Sequence, residues 1–91
     1  MNKLVNIGFG NAVNTAKILA VVSPAAVPVK RLVTKAKENG DLIDATQGRR
    51  TKAVLVMDDG SVVLSALQPE TICRRVNDPV QTADRRESED G

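Results

Sequence analysis

Two valine-rich runs flank a turn sequence near the middle of the chain, and this arrangement constrains the fold more than any other feature. The runs cover residues 52–57 and 61–67, and Asp-Asp-Gly-Ser at 58–61 separates them. Valine favours extended backbone, and an Asp-Gly pair is preferred in two-residue hairpin turns. The sequence therefore predicts two antiparallel strands joined by a tight turn.

Three further short apolar runs read as strands, at residues 3–7, 17–22 and 42–46. Both sides of the two valine-rich strands are largely apolar, although the outer face of a two-layer sheet is normally polar. One long and one short helix of the same chain are one way to cover both faces. Because exposed apolar patches usually mark interfaces, we favour a second subunit over this alternative. We therefore expect a homo-oligomer.

Helical spacing is clearest in one segment, where apolar residues three and four apart form a stripe from Val29 to Ala36. Ser23-Pro24 resembles a helix start, but a proline inside a helix removes a backbone donor, so we expect the regular helix to begin near Pro28. Asn39-Gly40 supplies its C-terminal stop. With a shorter helix over residues 69–76, the sequence predicts an α+β fold: a small, mostly antiparallel sheet of about five strands, one long helix and one short C-terminal helix.

Length and charge predict one domain with a distinct tail. Residues 1–76 contain eleven Lys and Arg against six Asp and Glu, whereas residues 77–91 contain two against five. We expect a basic folded domain over 1–76 and an acidic, disordered tail over 77–91. A single cysteine fits a reducing compartment, and no apolar stretch has the length of a signal peptide core or a membrane span, so we expect a cytoplasmic protein.

The composition argues against catalysis. The chain has no His, Trp or Tyr, so the usual general base and the aromatic platforms that stack single-stranded bases are missing. Cys73 shares a predicted helix face with Ile72 and Val76, where we expect it to be buried and inert. The glycine-flanked Phe9 is better explained as a turn residue that anchors a core or an interface than as part of a phosphate-binding loop. We expect no enzymatic activity, cofactor, metal site or small-molecule substrate.

The connection between the strands predicted at 42–46 and 52–57 carries the strongest candidate site. Guanidinium groups present planar, forked donors that suit phosphate oxygens and guanine edges, so Arg49 and Arg50 are candidate DNA ligands. Thr51 can add a neutral phosphate hydrogen bond, and Lys52 adds charge. The alternative is a hairpin turn whose basic residues serve only solubility or edge protection.

Other charged residues are secondary candidates. Lys17, at the start of a predicted strand, is a candidate phosphate contact or an ordinary strand-end charge. Lys30 and Arg31 lie near a helix start, where cations are electrostatically disfavoured, which hints at an external partner. Asp44 lies in an otherwise apolar strand and would need hydrogen-bond partners if buried. A bond to the arginine loop is one way to supply them.

Five blocks of the chain together resemble the RemA family of bacterial regulators, also known as a domain of unknown function. The matching blocks are residues 6–11, 23–24, 28–31, 42–46 with 48–51, and 65–71. The resemblance implies a DNA-binding transcriptional regulator of extracellular-matrix (biofilm) genes. It also implies ring-shaped homo-oligomers in which subunits are joined head to tail.

The same resemblance implies roles for particular residues. The family's paired arginines match Arg49 and Arg50, which look like the main DNA contacts. A further basic position falls on Lys17, where the family usually has arginine, and lysine keeps the charge but loses the forked geometry. We therefore expect duplex DNA to be bound multivalently by a basic loop repeated around the ring, close to the nucleoid. The alternatives are a scaffold whose basic loops bind a protein partner, and an anion or nucleotide sensor built on the turn at residues 8–11.

Overall fold

The structure, a computed structural model, describes residues 4–77 and has an α+β fold, as the sequence predicts. This part of the chain contains six strands, in order β1 (Leu4–Gly8), β2 (Asn11–Asn14), β3 (Ile18–Val22), β4 (Leu42–Asp44), β5 (Ala53–Met57) and β6 (Val62–Ser65). The two α-helices of residues 4–77 are α1 (Val27–Asn39) and α2 (Pro69–Asn77), and a single 3-10 turn covers Thr15–Lys17. The strands form a β1–β2 hairpin and a separate four-stranded sheet in the order β3-β5-β6-β4. The prediction of a single sheet of about five strands is wrong, because β1 pairs with β2 in a sheet of its own. The prediction omitted β2, because its sequence Asn-Ala-Val-Asn offers one large apolar residue.

The sheet is mostly antiparallel, with β4 parallel to β6. The predicted β5–β6 hairpin is present, but its loop has three residues because the backbones of Met57 and Ser61 are hydrogen-bonded across it at 2.9 Å. Asp59 accepts hydrogen bonds from the Ser61 amide and hydroxyl, which hold this longer loop. The prediction of a two-residue turn is therefore wrong.

The connection from β4 to β5 is a crossover. The alternative of a hairpin turn at this connection is wrong, because β6 lies between these two strands. The Ala45 amide donates to the Leu64 carbonyl at 3.0 Å, and the Lys52 amide donates to the Ser65 carbonyl at 2.9 Å. Both ends of the crossover are thus fixed to the end of β6. A sequence pattern shows that two strands are joined by a loop, but it does not show which strand lies between them in the sheet.

Both faces of the sheet are covered within the chain. On one face, the predicted apolar stripe of α1 packs against Val54 and Val62, which are fully buried. On the other face, the β1–β2 hairpin and α2 bury Ile7 and Ile72 together with Leu55. The inference of a second subunit from two apolar sheet faces is therefore wrong, because two layers of the same chain cover them. The homo-oligomer itself stays a prediction.

The helix boundaries agree with the sequence signals. Pro28 lies in the first turn of α1, and Gly40 ends this helix in a left-handed conformation with φ of 79°. Cys73, in contrast, is exposed, so the prediction of its burial is wrong. The buried face of α2 is centred on Ile72. Adjacent residues of a helix are rotated by about 100° around its axis, so Cys73 is turned away from this face.

Neither helix in residues 4–77 is long and apolar enough to cross a membrane. The predicted acidic tail, apart from Asn77 at the end of α2, lies outside the described residues.

Candidate functional site

One end of the four-stranded sheet collects most of the predicted site residues. β4 and β6 finish at this end, β5 begins there, and α1 starts there after β3. The crossover at residues 45–52 therefore lies near the first turns of α1, which carry Lys30 and Arg31. We call the crossover and these two residues the basic end of the domain.

A strained turn shapes the crossover. The Arg49 amide donates to the Thr46 carbonyl at 2.9 Å, and the residues between them, Gln47 and Gly48, have φ of 54° and 79°. Positive φ at both central residues is the pattern of a type I′ turn. A residue with a side chain is destabilised in this left-handed region by about 1–2 kcal/mol, so Gln47 holds strain two positions before Arg49, with Gly48 between them.

Asp44 and Thr46 fix the start of this turn. The Asp44 carboxylate accepts hydrogen bonds from the Thr46 hydroxyl at 2.6 Å and from the Thr46 amide at 2.9 Å. These bonds, the hydroxyl first, hold the pKa of Asp44 below its ordinary value of 3.8, against a small opposing effect of burial. Asp44 is exposed, so it does not need the hydrogen-bond partners that a buried carboxylate would require. Among residues 4–77, the hydrogen-bond partner of its side chain is Thr46 and not an arginine.

Arg49 and Arg50 are exposed at the surface of the basic end. Within residues 4–77, neither guanidinium forms an ion pair or a hydrogen bond with a protein group. The Arg49 guanidinium lies over the ring of Phe9, with its Cζ atom 5.3 Å from the ring centroid. The polar donors of both arginines are therefore available to an external anion.

The turn between β1 and β2 lies beside the crossover. The Asn11 side-chain amide donates to the Ala45 carbonyl at 3.4 Å, a long contact, and the buried Ser65 hydroxyl donates to the Ile7 carbonyl at 2.8 Å. These two contacts join the N-terminal hairpin to the end of the sheet. They bring Phe9 to Arg49 although forty positions separate these residues.

Phe9 is a site residue that sequence reasoning assigned to a core or an interface. It packs against neither of the two core clusters in the described part of the chain. Phe9 and Gln47 are the two non-glycine residues with positive φ among residues 4–77, and both lie in loops next to Arg49. Strained backbone is often found at functional sites, so this pairing supports a function for the basic end. The signal in the sequence was a lone aromatic between two glycines, outside any apolar alternation.

A cavity of about 330 Å³ joins α1 to the crossover. Lys30 and Thr34 of α1 and Thr51 of the crossover line it, over an apolar floor that includes Val54. Lys30 and Thr51 thus border one opening. Arg31 lies on the solvent-facing side of α1, beside a second groove that Lys30 also lines.

Lys17 lies at the opposite end of the sheet. It precedes Ile18, which pairs with Met57 at the far end of β5. A strand rises about 3.3 Å per residue, so the two ends of β5 are about 13 Å apart. The Lys17 ammonium lies 3.9 Å from the Asp58 carboxylate, and both side chains are exposed. Within one subunit, Lys17 is therefore not part of the basic end.

Comparisons with known proteins identify the family. The family model described as "RemA-like: Extracellular matrix regulatory protein A-like" matches residues 4–76. A relative from Lachnoclostridium phytofermentans is 62% identical over 77 residues, which cover 85% of each chain. A relative from a Cyanothece species is 58% identical over 73 residues, covering 80% of each chain. One from Pelotomaculum thermopropionicum is 51% identical over 88 residues, covering 97% of each chain. The names of all three include the words "Putative regulatory protein". This chain belongs to the RemA-like family.

Proposed function

We propose that this protein is a transcriptional regulator that binds duplex DNA through the basic ends of several associated subunits. The observation that carries the proposal is the pair of exposed guanidinium groups of Arg49 and Arg50, which lack a carboxylate partner within residues 4–77. They follow a strained turn that is fixed to the end of β6. Forked cations held close together suit phosphate oxygens on neighbouring nucleotides.

Neighbouring residues extend the positive surface. Lys52 follows the two arginines, and Lys30 faces Thr51 across the cavity beside α1. Thr51 can donate a neutral hydrogen bond to a phosphate, and Arg31 adds charge on the outer side of α1. These contacts fix the position of DNA without reading its sequence. We therefore propose backbone-dominated binding that prefers DNA which bends easily.

A regulatory role fits the names of the relatives, and the family description points to extracellular-matrix genes as the targets. We extend both to this chain as part of the proposal. Binding to chromosomal DNA would place the protein in the cytoplasm, associated with the nucleoid.

Self-association is the second part of the proposal. A single basic end offers few phosphate contacts, but linking several ends raises the effective concentration of each. Large apolar side chains are exposed on both edge strands of the sheet, with Leu19 of β3 at 69% and Ile43 of β4 at 55% exposure. A head-to-tail interface needs two different patches on each subunit, and opposite edges of one sheet supply them. This supports a ring-shaped homo-oligomer, in which Lys17 would contact DNA that extends beyond one basic end.

The test is a titration of fluorescent duplex DNA at several salt concentrations, with oligomer size measured by light scattering. Each phosphate contact contributes about −0.9 to the slope of log K against log salt. The Arg49→Ala/Arg50→Ala double variant should reduce the steepness of this slope by about 1.8 for each engaged subunit. Lys35→Ala/Lys37→Ala removes the same charge from exposed positions farther along α1 and should retain most of the affinity.

Normal DNA binding by the arginine double variant would overturn the proposal. If the wild-type protein forms an oligomer that binds no duplex at low salt, the basic ends belong instead to a scaffold for an acidic protein partner.

A further inference from the structure

The only aromatic ring in the chain lies under an arginine, outside the hydrophobic core. Phe9 is the single aromatic residue, it is half-buried, and it packs against neither core cluster in residues 4–77. The Arg49 Cζ atom is 5.3 Å from its ring centroid. A guanidinium within about 6 Å of an aromatic face is attracted by the negative potential of the ring.

The backbone of Phe9 adopts a conformation that a bulky residue normally avoids. Its φ is 55°, between Gly8 at 108° and Gly10 at 79°. Glycine adopts such angles without a steric penalty, so a third glycine would relieve the strain. Phe9 therefore occupies a position that favours glycine and does not bury its ring in the core. A strained residue of this kind points to a function of the side chain itself.

Contacts on either side hold the ring in place. The buried Ser65 hydroxyl fixes the Ile7 carbonyl just before the turn, and the Asn11 side chain donates to the Gly8 carbonyl at 3.1 Å. Asn11 also contacts the Ala45 carbonyl at the start of the crossover. The turn and the crossover are thus tied together at the position where Phe9 meets Arg49.

We propose that Phe9 is a positioning residue for Arg49, an inference that rests on the proposed DNA-binding function. The ring attracts the charge of the guanidinium without using any of its N–H donors. It therefore restricts the rotamers of a long side chain while leaving the donors available to phosphate. An arginine ordered before binding loses less conformational freedom when DNA arrives. Arg50 has no aromatic partner among residues 4–77, so it provides a matched comparison within the same loop.

A double-mutant cycle on DNA affinity tests the inference. Phe9→Leu removes the aromatic face and keeps an apolar side chain, and we expect it to weaken binding about two- to fivefold for each engaged subunit. In an Arg49→Ala background the same change should have no further effect, whereas in an Arg50→Ala background it should weaken binding as it does in the wild type. Phe9→Trp restores an aromatic face and should restore affinity.

A second measurement on the DNA-free protein reports the contact directly. In the wild type, the side-chain NMR signals of Arg49 should be shifted by the ring current of Phe9, and Phe9→Leu should abolish the shift while leaving Arg50 unchanged. Circular dichroism and light scattering on each variant establish that the fold and the oligomer are intact. A Phe9→Leu protein that loses its oligomeric state would overturn the inference and make Phe9 an interface anchor.

The two proposals fail in different ways. If wild-type protein binds duplex DNA and Phe9→Leu binds equally well, the positioning role is wrong and the proposed function stands. If Phe9→Leu weakens binding equally in the Arg49→Ala background, Phe9 acts on DNA or on the fold rather than through Arg49. If wild-type protein binds no duplex DNA while the NMR shift of Arg49 is present, the proposed function fails and the role of Phe9 in DNA binding fails with it.

Discussion

Replacing Ser65 with alanine tests the contact that joins the N-terminal hairpin to the sheet. The Ser65 side chain is fully buried, and its hydroxyl donates to the Ile7 carbonyl at 2.8 Å and accepts from the Leu67 amide at 3.1 Å. Alanine removes one oxygen atom, so it leaves almost no cavity. It does leave a buried carbonyl and an amide without this partner, and each such loss destabilises a protein by about 1–1.5 kcal/mol. We expect Ser65→Ala to lower the free energy of unfolding by about 2–3 kcal/mol.

Urea unfolding followed by circular dichroism measures this loss. The slope m for a small protein is about 1–3 kcal/mol per molar urea, so the midpoint should fall by about 0.7–3 M. Protein concentration is held constant, because self-association would add to apparent stability. Ser61→Ala is the matched control: its hydroxyl binds Asp59 at the exposed β5–β6 turn, and its removal should change stability by less than about 1 kcal/mol. Equal midpoints for the two variants would refute the reasoning.

Three further predictions concern the helices and the crossover. Ile72→Ala removes a fully buried side chain and should lower the free energy of unfolding by about 2–5 kcal/mol in the same urea assay. Cys73 is the next residue and is exposed, so Cys73→Ala should change the free energy of unfolding by less than about 0.5 kcal/mol. Equal effects would contradict the orientation of α2. Gly40→Ala forces a side chain into the left-handed end of α1 and should lower stability by about 1–2 kcal/mol, and a neutral effect would contradict its φ of 79°. Because the folded pKa of Asp44 lies below 3.8, its carboxylate stabilises the protein above that pH, and the contribution is lost as pH falls through the folded pKa. Asp44→Asn should therefore be less stable than wild type at pH 6, with the difference shrinking below about pH 3.8. A difference that does not vary with pH would contradict this.

Local patterns were sufficient where neighbours in the chain decide the outcome. The start of α1 near Pro28 and its end at Gly40 follow from backbone chemistry, and the stripe from Val29 to Ala36 follows from helical periodicity. These features agree with the sequence because each depends on residues within a few positions of one another. At Cys73 the local pattern is insufficient, because a rotation of about 100° between adjacent helix positions separates a buried face from an exposed one.

The candidate site was only partly accessible from the sequence. The basic residues of the crossover are visible as a cluster, but their relation to Lys30 depends on where α1 starts relative to the sheet. Lys17 looks equivalent in sequence, yet the antiparallel pairing of β3 with β5 places it at the other end. Pairing partners are chosen by the packing of the whole domain, so a local pattern does not contain them.

The sequence by itself determined the fold class, the helix boundaries and the placement of Arg49 and Arg50 on a connection between strands, because periodicity, turn chemistry and charge are local properties. Only the tertiary structure decided that β6 lies between β4 and β5, that both faces of the sheet are covered within the chain, and that Phe9 lies under Arg49. Each of these depends on contacts between residues far apart in the chain. Such contacts form because burying apolar surface on both sides of one sheet favours a single arrangement of the layers.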